Sequence, residues 1–183
     1  MYKFIKWRDD WLLHIADLDG EHRHLVALIN RIAERFGIVA PRDGVAGAKT
    51  AGEGEIYSML EQLGEEVRRH FRHEEGFMEE LDSPGYALHH YEHITLLAEY
   101  ADLLRQVRRS GVGYLDFQTL VELKAWFISH IAGADRQFGE YYRELVGGNS
   151  ARARRDCARS TRSWEVRFPA YMRVERSRSR RRA

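Results

Sequence analysis

The sequence predicts an all-α protein: an antiparallel up-and-down four-helix bundle with an N-terminal arm and a disordered basic C-terminal tail. Apolar residues recur at three- and four-residue spacing in four long stretches, the period of helices that bury one face. Short turn signals join some of these stretches, as neighbours in a bundle require. No stretch shows the period-two alternation of a half-buried strand. At 183 residues the chain suffices for one domain with a sizeable core and falls short of two.

Composition narrows the class further. No apolar run approaches membrane-spanning length. The start, Met1-Tyr2-Lys3-Phe4-Ile5-Lys6-Trp7-Arg8, lacks the apolar core and small-residue cleavage site of a secretory signal. The single Cys157 cannot form an internal disulfide, which agrees with a reducing compartment, and the expected location is cytoplasmic. The near-neutral total hides two opposite parts. Residues 1–146 hold 17 basic and 25 acidic side chains, whereas residues 147–183 hold 12 arginines and 3 acids. All nine histidines fall in the acidic part.

Residues 1–18 carry spaced aromatics, Phe4, Trp7 and Trp11, and read as an arm packing across the domain, which itself spans 19–146. Asp17 and Asp19 offer N-capping side chains, so the first helix is expected to start near Asp19. Its inner face is Leu25, Val26, Ile29, Ile32, Ala33 and Phe36, and reaches back to His22. Residues 37–54 form a long polar loop, expected to be mobile. The second helix runs from about Glu55 to Leu81 and stops at Asp82-Ser83-Pro84-Gly85, a turn signal. The third spans about Tyr86 to Arg109 and ends at Ser110-Gly111. The fourth spans about Leu115 to Val146, with Leu120, Leu123, Phe127, Ile131, Ala134, Phe138 and Leu145 inward. Residues 147–183 are rich in arginine and serine and too poor in aliphatics to build a core.

Each helix also carries polar residues on its apolar stripe. His70 and Glu74, four apart, lie one above the other and point inward, as do His89 and His93. His22 on the first helix and His130 with Asp135 on the fourth complete the set. The five-residue step from His130 to Asp135 rotates by about 140° on an α-helix, which asks the short Asp to reach sideways. A buried imidazole or carboxylate without a partner costs several kcal/mol, so these seven side chains need one another or a shared cation. Their mixed N/O character suits iron, and less distinctively zinc, copper or manganese. Two metals sharing two bridging carboxylates and a solvent-derived bridge account for all seven. His14, His24, His73 and His90 read as surface residues or as neighbours of the ligands.

Four ordered motifs now stand together: Asp19-Gly20-Glu21-His22; His70-Phe71-x-x-Glu74-Glu75-x-x-Met78; His89-x-x-x-His93; and His130-Ile131-x-x-x-Asp135. With the arm segment Phe4-Ile5-Lys6-Trp7 they resemble the hemerythrin family, in particular its single-domain bacterial members, over roughly residues 1–145. The resemblance implies two iron ions with an oxo or hydroxo bridge. One would be held by His89, His93 and His130, the other by His22 and His70, with Glu74 and Asp135 bridging. The iron with two histidines would have an open position for O2. Five neutral imidazoles and two carboxylates leave the pair more positive than the four-carboxylate di-iron oxygenases, which favours reversible O2 binding over O2 cleavage. Phe77, Ile29, Leu97 and Phe127, by helical position, are candidates for an apolar wall that slows loss of the bound oxygen. Relatives commonly place leucine where this chain has Phe127. The long 37–54 loop and the Arg-rich tail also depart from the family pattern.

The leading expectation is therefore an O2-binding protein for storage, delivery to an oxygen-consuming enzyme, or sensing, and not an enzyme. The alternatives are a di-iron redox enzyme acting on peroxide or nitric oxide, and a metal buffer. The tail, with Trp164, Phe168 and Tyr171 among its arginines, is a solvated extension or a segment that docks on an anionic surface, nucleic acid or an acidic partner.

Overall fold

A computed structural model describes residues 3–37 and 52–148 of the chain. Most of the 37–54 loop and nearly all of the tail lie outside the described residues. The regular elements of the described part are all helices: α1 (Ala16–Arg35), α2 (Glu53–Glu80), α3 (Tyr86–Ser110), α4 (Phe117–His130) and α5 (Arg136–Val146). A π-turn, Ile131–Asp135, joins α4 to α5, so the fourth rod of the bundle is one long helix with a wider turn inside it.

The stripes read from the sequence are the buried faces. Leu25, Ile29 and Ile32 of α1 meet Leu60, Leu63 and Val67 of α2, Leu96 and Val107 of α3, and Leu120, Leu123 and Phe127 of α4 in one cluster. A second, smaller cluster gathers Leu13, Ile15, Leu18, Met78, Phe138 and Tyr141. On three of the rods an inward polar residue falls between members of the two clusters: His22 between Leu18 and Leu25, Glu74 between Phe71 and Met78, Asp135 between Ile131 and Phe138. The core is thus two apolar blocks with one polar layer between them.

Helix α1 begins three residues earlier than its capping signals indicate. Ile15 precedes it without a side-chain cap. Asp19 is buried, and its Oδ1 accepts the Leu13 N–H at 2.8 Å, so this carboxylate fastens the arm instead of capping the helix. Asn30 fastens it again: its Oδ1 accepts the Ile5 N–H at 2.6 Å and its Nδ2 donates to the Ile5 carbonyl at 2.9 Å. Just past the Leu13 tie, His14 is exposed in the left-handed region at φ +64°, turning out between buried Leu13 and Ile15. The fourth rod starts at Phe117, where Asp116 caps it by accepting from the Thr119 N–H at 2.7 Å.

Two glycines mark close approaches. A Cβ on Gly139 would stand 2.9 Å from the Leu13 Cα, so the arm backbone lies directly on α5. A Cβ on Gly64 would stand 2.8 Å from the ring of Tyr100, whose hydroxyl donates to the Leu60 carbonyl at 2.7 Å and locks the ring in that place.

Candidate metal centre

All seven side chains picked out by spacing come together in the polar layer. Their ligating atoms form two groups, Glu74 with His89, His93, His130 and Asp135, and His22 with His70 and Asp135. Asp135 belongs to both. Every member is buried.

The π-turn explains how Asp135 reaches this position. Five residues span about 140° beyond a full α-turn, but the wider π-turn closes its hydrogen bonds from i to i+5 and brings residues five apart onto one face. His130 Nε2 accordingly lies 2.9 Å from Asp135 Oδ1, while Asp135 Oδ2 is 3.1 Å from His22 Nε2. The side chain does not strain sideways; the backbone widens.

Outer carboxylates fix the rings. Glu21 Oε2 accepts from His70 Nδ1 at 2.9 Å, Glu75 Oε1 from His93 Nδ1 at 2.7 Å, and Glu92 Oε1 from His130 Nδ1 at 3.0 Å. A carboxylate only accepts, so each Nδ1 carries the proton and each Nε2 is left as a bare lone pair facing the centre. The sequence reading did not assign these three partners. Their only signal was adjacency: Glu21 precedes His22, Glu75 follows Glu74 and Glu92 precedes His93. Phe71 is the second omission, its ring stacked on His93 at 3.7 Å and 4° and edge-on to His130 at 5.2 Å. Of the wall candidates, Ile29, Phe127 and Leu97 belong to the larger apolar cluster and Phe77 to the smaller. His24 is exposed, whereas His73 and His90 are half-buried beside Glu21 and Glu75.

This arrangement fits a bound cation. His93 Nε2 and His130 Nε2 face each other at 2.9 Å, as do His22 Nε2 and His70 Nε2. Two lone pairs at that distance repel unless a proton or a metal ion stands between them. Both oxygens of Glu74 and both of Asp135 are buried with no hydrogen-bond donor, a costly state for a carboxylate that ligation relieves. Without metal, protons take this role. Burial pushes the His89 imidazole down, but Glu74 and Asp135 outweigh it and raise it to about 9. Burial likewise opposes charging of His130, and Asp135 then Glu92 lift it well above its usual value. For His93 burial prevails and lowers it. Burial and Asp135 push Glu74 up, yet His89 and His93 hold it far below the ordinary carboxylate range. Burial also pushes Asp135 up, and His130 with His22 and His89 outweighs it and holds the carboxyl well below its ordinary value.

Residues 13–142 match the family described as the hemerythrin HHE cation binding domain. The chain belongs to the hemerythrin family. Among its hemerythrin relatives, it is similar to the bacteriohemerythrin of Methylococcus capsulatus, with 25% identity over 126 residues that cover 69% of this chain and 86% of that protein. It is also similar to the bacteriohemerythrin of Stenotrophomonas maltophilia, with 22% identity over 134 residues, 73% of this chain and 78% of the relative. No solved structure matches the chain. In this hemerythrin domain the buried His/Glu/Asp cluster is an iron centre. No helix of the described residues is long and apolar enough to cross a membrane.

Proposed function

We propose that this hemerythrin domain binds O2 reversibly at a two-iron centre, for oxygen storage, delivery or sensing in the cytoplasm, and that it is not primarily an enzyme. His89, His93 and His130 are the ligands of one iron, His22 and His70 of the other, and Glu74 and Asp135 serve both. Held there, two iron ions would supply the electrons that O2 takes up on binding and gives back on release. The observation that carries this reading is the pair of ligand groups sharing Asp135, sealed between two apolar clusters.

The chain's own residues perform the rest. Glu21, Glu75 and Glu92 hold Nδ1 protons so that Nε2 atoms of fixed orientation meet the metal. Phe71 covers His93 and excludes water from that side; Phe127, Ile29, Leu97 and Phe77 are assigned to the wall around bound O2. With only two carboxylates against five imidazoles, the centre keeps positive charge. That supports reversible binding over the alternative, a redox enzyme acting on peroxide or nitric oxide.

The test is the visible spectrum of reduced, iron-loaded protein, taken anaerobically, in air and after argon purging. A charge-transfer band that appears in air and disappears under argon is the expected result. Irreversible conversion in air, or turnover of peroxide or nitric oxide with a reductant, would replace this function with the redox one. Loose exchange among several metals would indicate a buffer.

A further inference from the structure

Outside the ligand cluster, His73 has an unusual set of contacts for a partly exposed histidine. It lies one turn beyond His70 on α2, and both rings converge on one carboxylate of α1. Glu21 Oε1 is 2.9 Å from His73 Nδ1 and Glu21 Oε2 is 2.9 Å from His70 Nδ1. The two bonds use different oxygens, so the carboxylate is gripped at both ends. The His73 ring is in turn steadied by Phe77, one further turn along α2, with ring centroids 5.0 Å apart. The chain Phe77, His73, Glu21, His70 runs from the bundle surface to a proposed iron ligand.

On α3, His90 approaches Glu75 at 3.1 Å, but on the same Oε1 that already accepts from His93. There one oxygen is shared and the other is left free to turn. Asp135 also meets imidazoles at both oxygens, but through their inward Nε2 atoms; among the described residues, Glu21 is the carboxylate that meets an imidazole Nδ1 at each oxygen.

We propose that His73 is a positioning residue for the metal centre: by holding Glu21 Oε1 it fixes Glu21 Oε2 on His70 Nδ1, and so keeps His70 Nε2 turned toward the iron. A carboxylate held by one bond rotates about its last torsion and exchanges its partner for water. Held by two, it presents one fixed acceptor to His70. The iron with two histidine ligands depends most on such fixing, since it has fewer protein ligands to retain it. This inference rests on the ligand assignment proposed above, but its consequences for the ring of His70 do not require metal.

The test compares full-length wild type with His73→Phe, which keeps a ring against Phe77 and removes the N–H, and with His73→Asn, whose amide N–H replaces the Nδ1 donor. Transfer of iron to an external chelator should be about threefold faster in H73F, below the roughly tenfold or greater effect of removing an outer carboxylate, and H73N should restore the wild-type rate. In metal-free protein, long-range nitrogen–proton NMR should show His70 as the Nδ1–H tautomer in wild type and H73N, with that preference weakened in H73F. Adding H73F to Glu21→Gln should cause no further loss, because His73 acts only through Glu21. Unchanged chelation rate and unchanged His70 tautomer in H73F would overturn the proposal, as would additive losses in the double variant. If the wild-type protein takes up no iron, the proposed function fails, and the tautomer comparison still decides the role of His73.

Discussion

His130 Nε2 and Asp135 Oδ1 stand 2.9 Å apart although they lie five positions apart on a single rod. The π-turn Ile131–Asp135 makes this possible. It places Asp135 where its second oxygen also reaches His22 on α1, and so joins two groups of ligands that would otherwise be separate.

Asp135→Ala therefore affects both groups together. Iron bound per chain should fall from about two equivalents to fewer than one, because three imidazoles lose their shared counter-charge as well as a ligand. Elemental analysis of purified protein measures it. Retention of the full complement would show that Asp135 does not serve both sites.

Metal uptake should release protons. Below about pH 9 the metal-free protein holds His89 as the imidazolium, and His130 is raised in the same sense; ligation through one ring nitrogen displaces one of the two ring protons. The sign follows directly: iron(II) affinity rises as pH increases from about 6 to about 8, and proton release diminishes only as the pH passes through the raised His89 value. Anaerobic titration in weak buffer with a pH indicator measures both. A pH-independent affinity would contradict the buried histidine–carboxylate pairing.

Phe127 is buried three residues before His130. If it shields bound oxygen, Phe127→Leu opens that side and autoxidation of the oxygenated protein quickens by a factor of a few, with a stability loss of about 1 kcal/mol from the smaller side chain. The decay of the visible band reports the first and thermal denaturation the second. An unchanged decay removes Phe127 from the wall.

The arm depends on Asn30. Asn30→Ala removes both bonds to the buried Ile5 backbone and leaves an N–H and a carbonyl without these partners, at a cost of about 1–3 kcal/mol. The melting temperature should drop by several degrees, and limited proteolysis should cut first within residues 3–13. Wild-type stability would mean that the arm is held elsewhere.

The resemblance to hemerythrins was legible because its motifs lie on single helices. His70 with Glu74 and His89 with His93 are four apart, and their shared face needs no knowledge of the rest of the fold. The apolar stripes that became the two core clusters follow from the same periodicity. Where a side chain's partner lies on another helix, spacing carries no information. Asp19 had the residue type of an N-cap, yet it bonds Leu13 of the arm.

The sequence by itself determined the helices, their inward faces and the identity of the seven clustered side chains, since all of these depend on local period and residue chemistry. Tertiary structure decided three other things. It widened one turn so that Asp135 faces two ligand groups, paired Glu21, Glu75 and Glu92 with rings on neighbouring helices, and brought Phe71 of α2 flat against His93 of α3. The physical reason is common to all three: each contact is set by how far apart two rods pack and which rotamers reach across the gap, and neither quantity is written in the spacing along one rod.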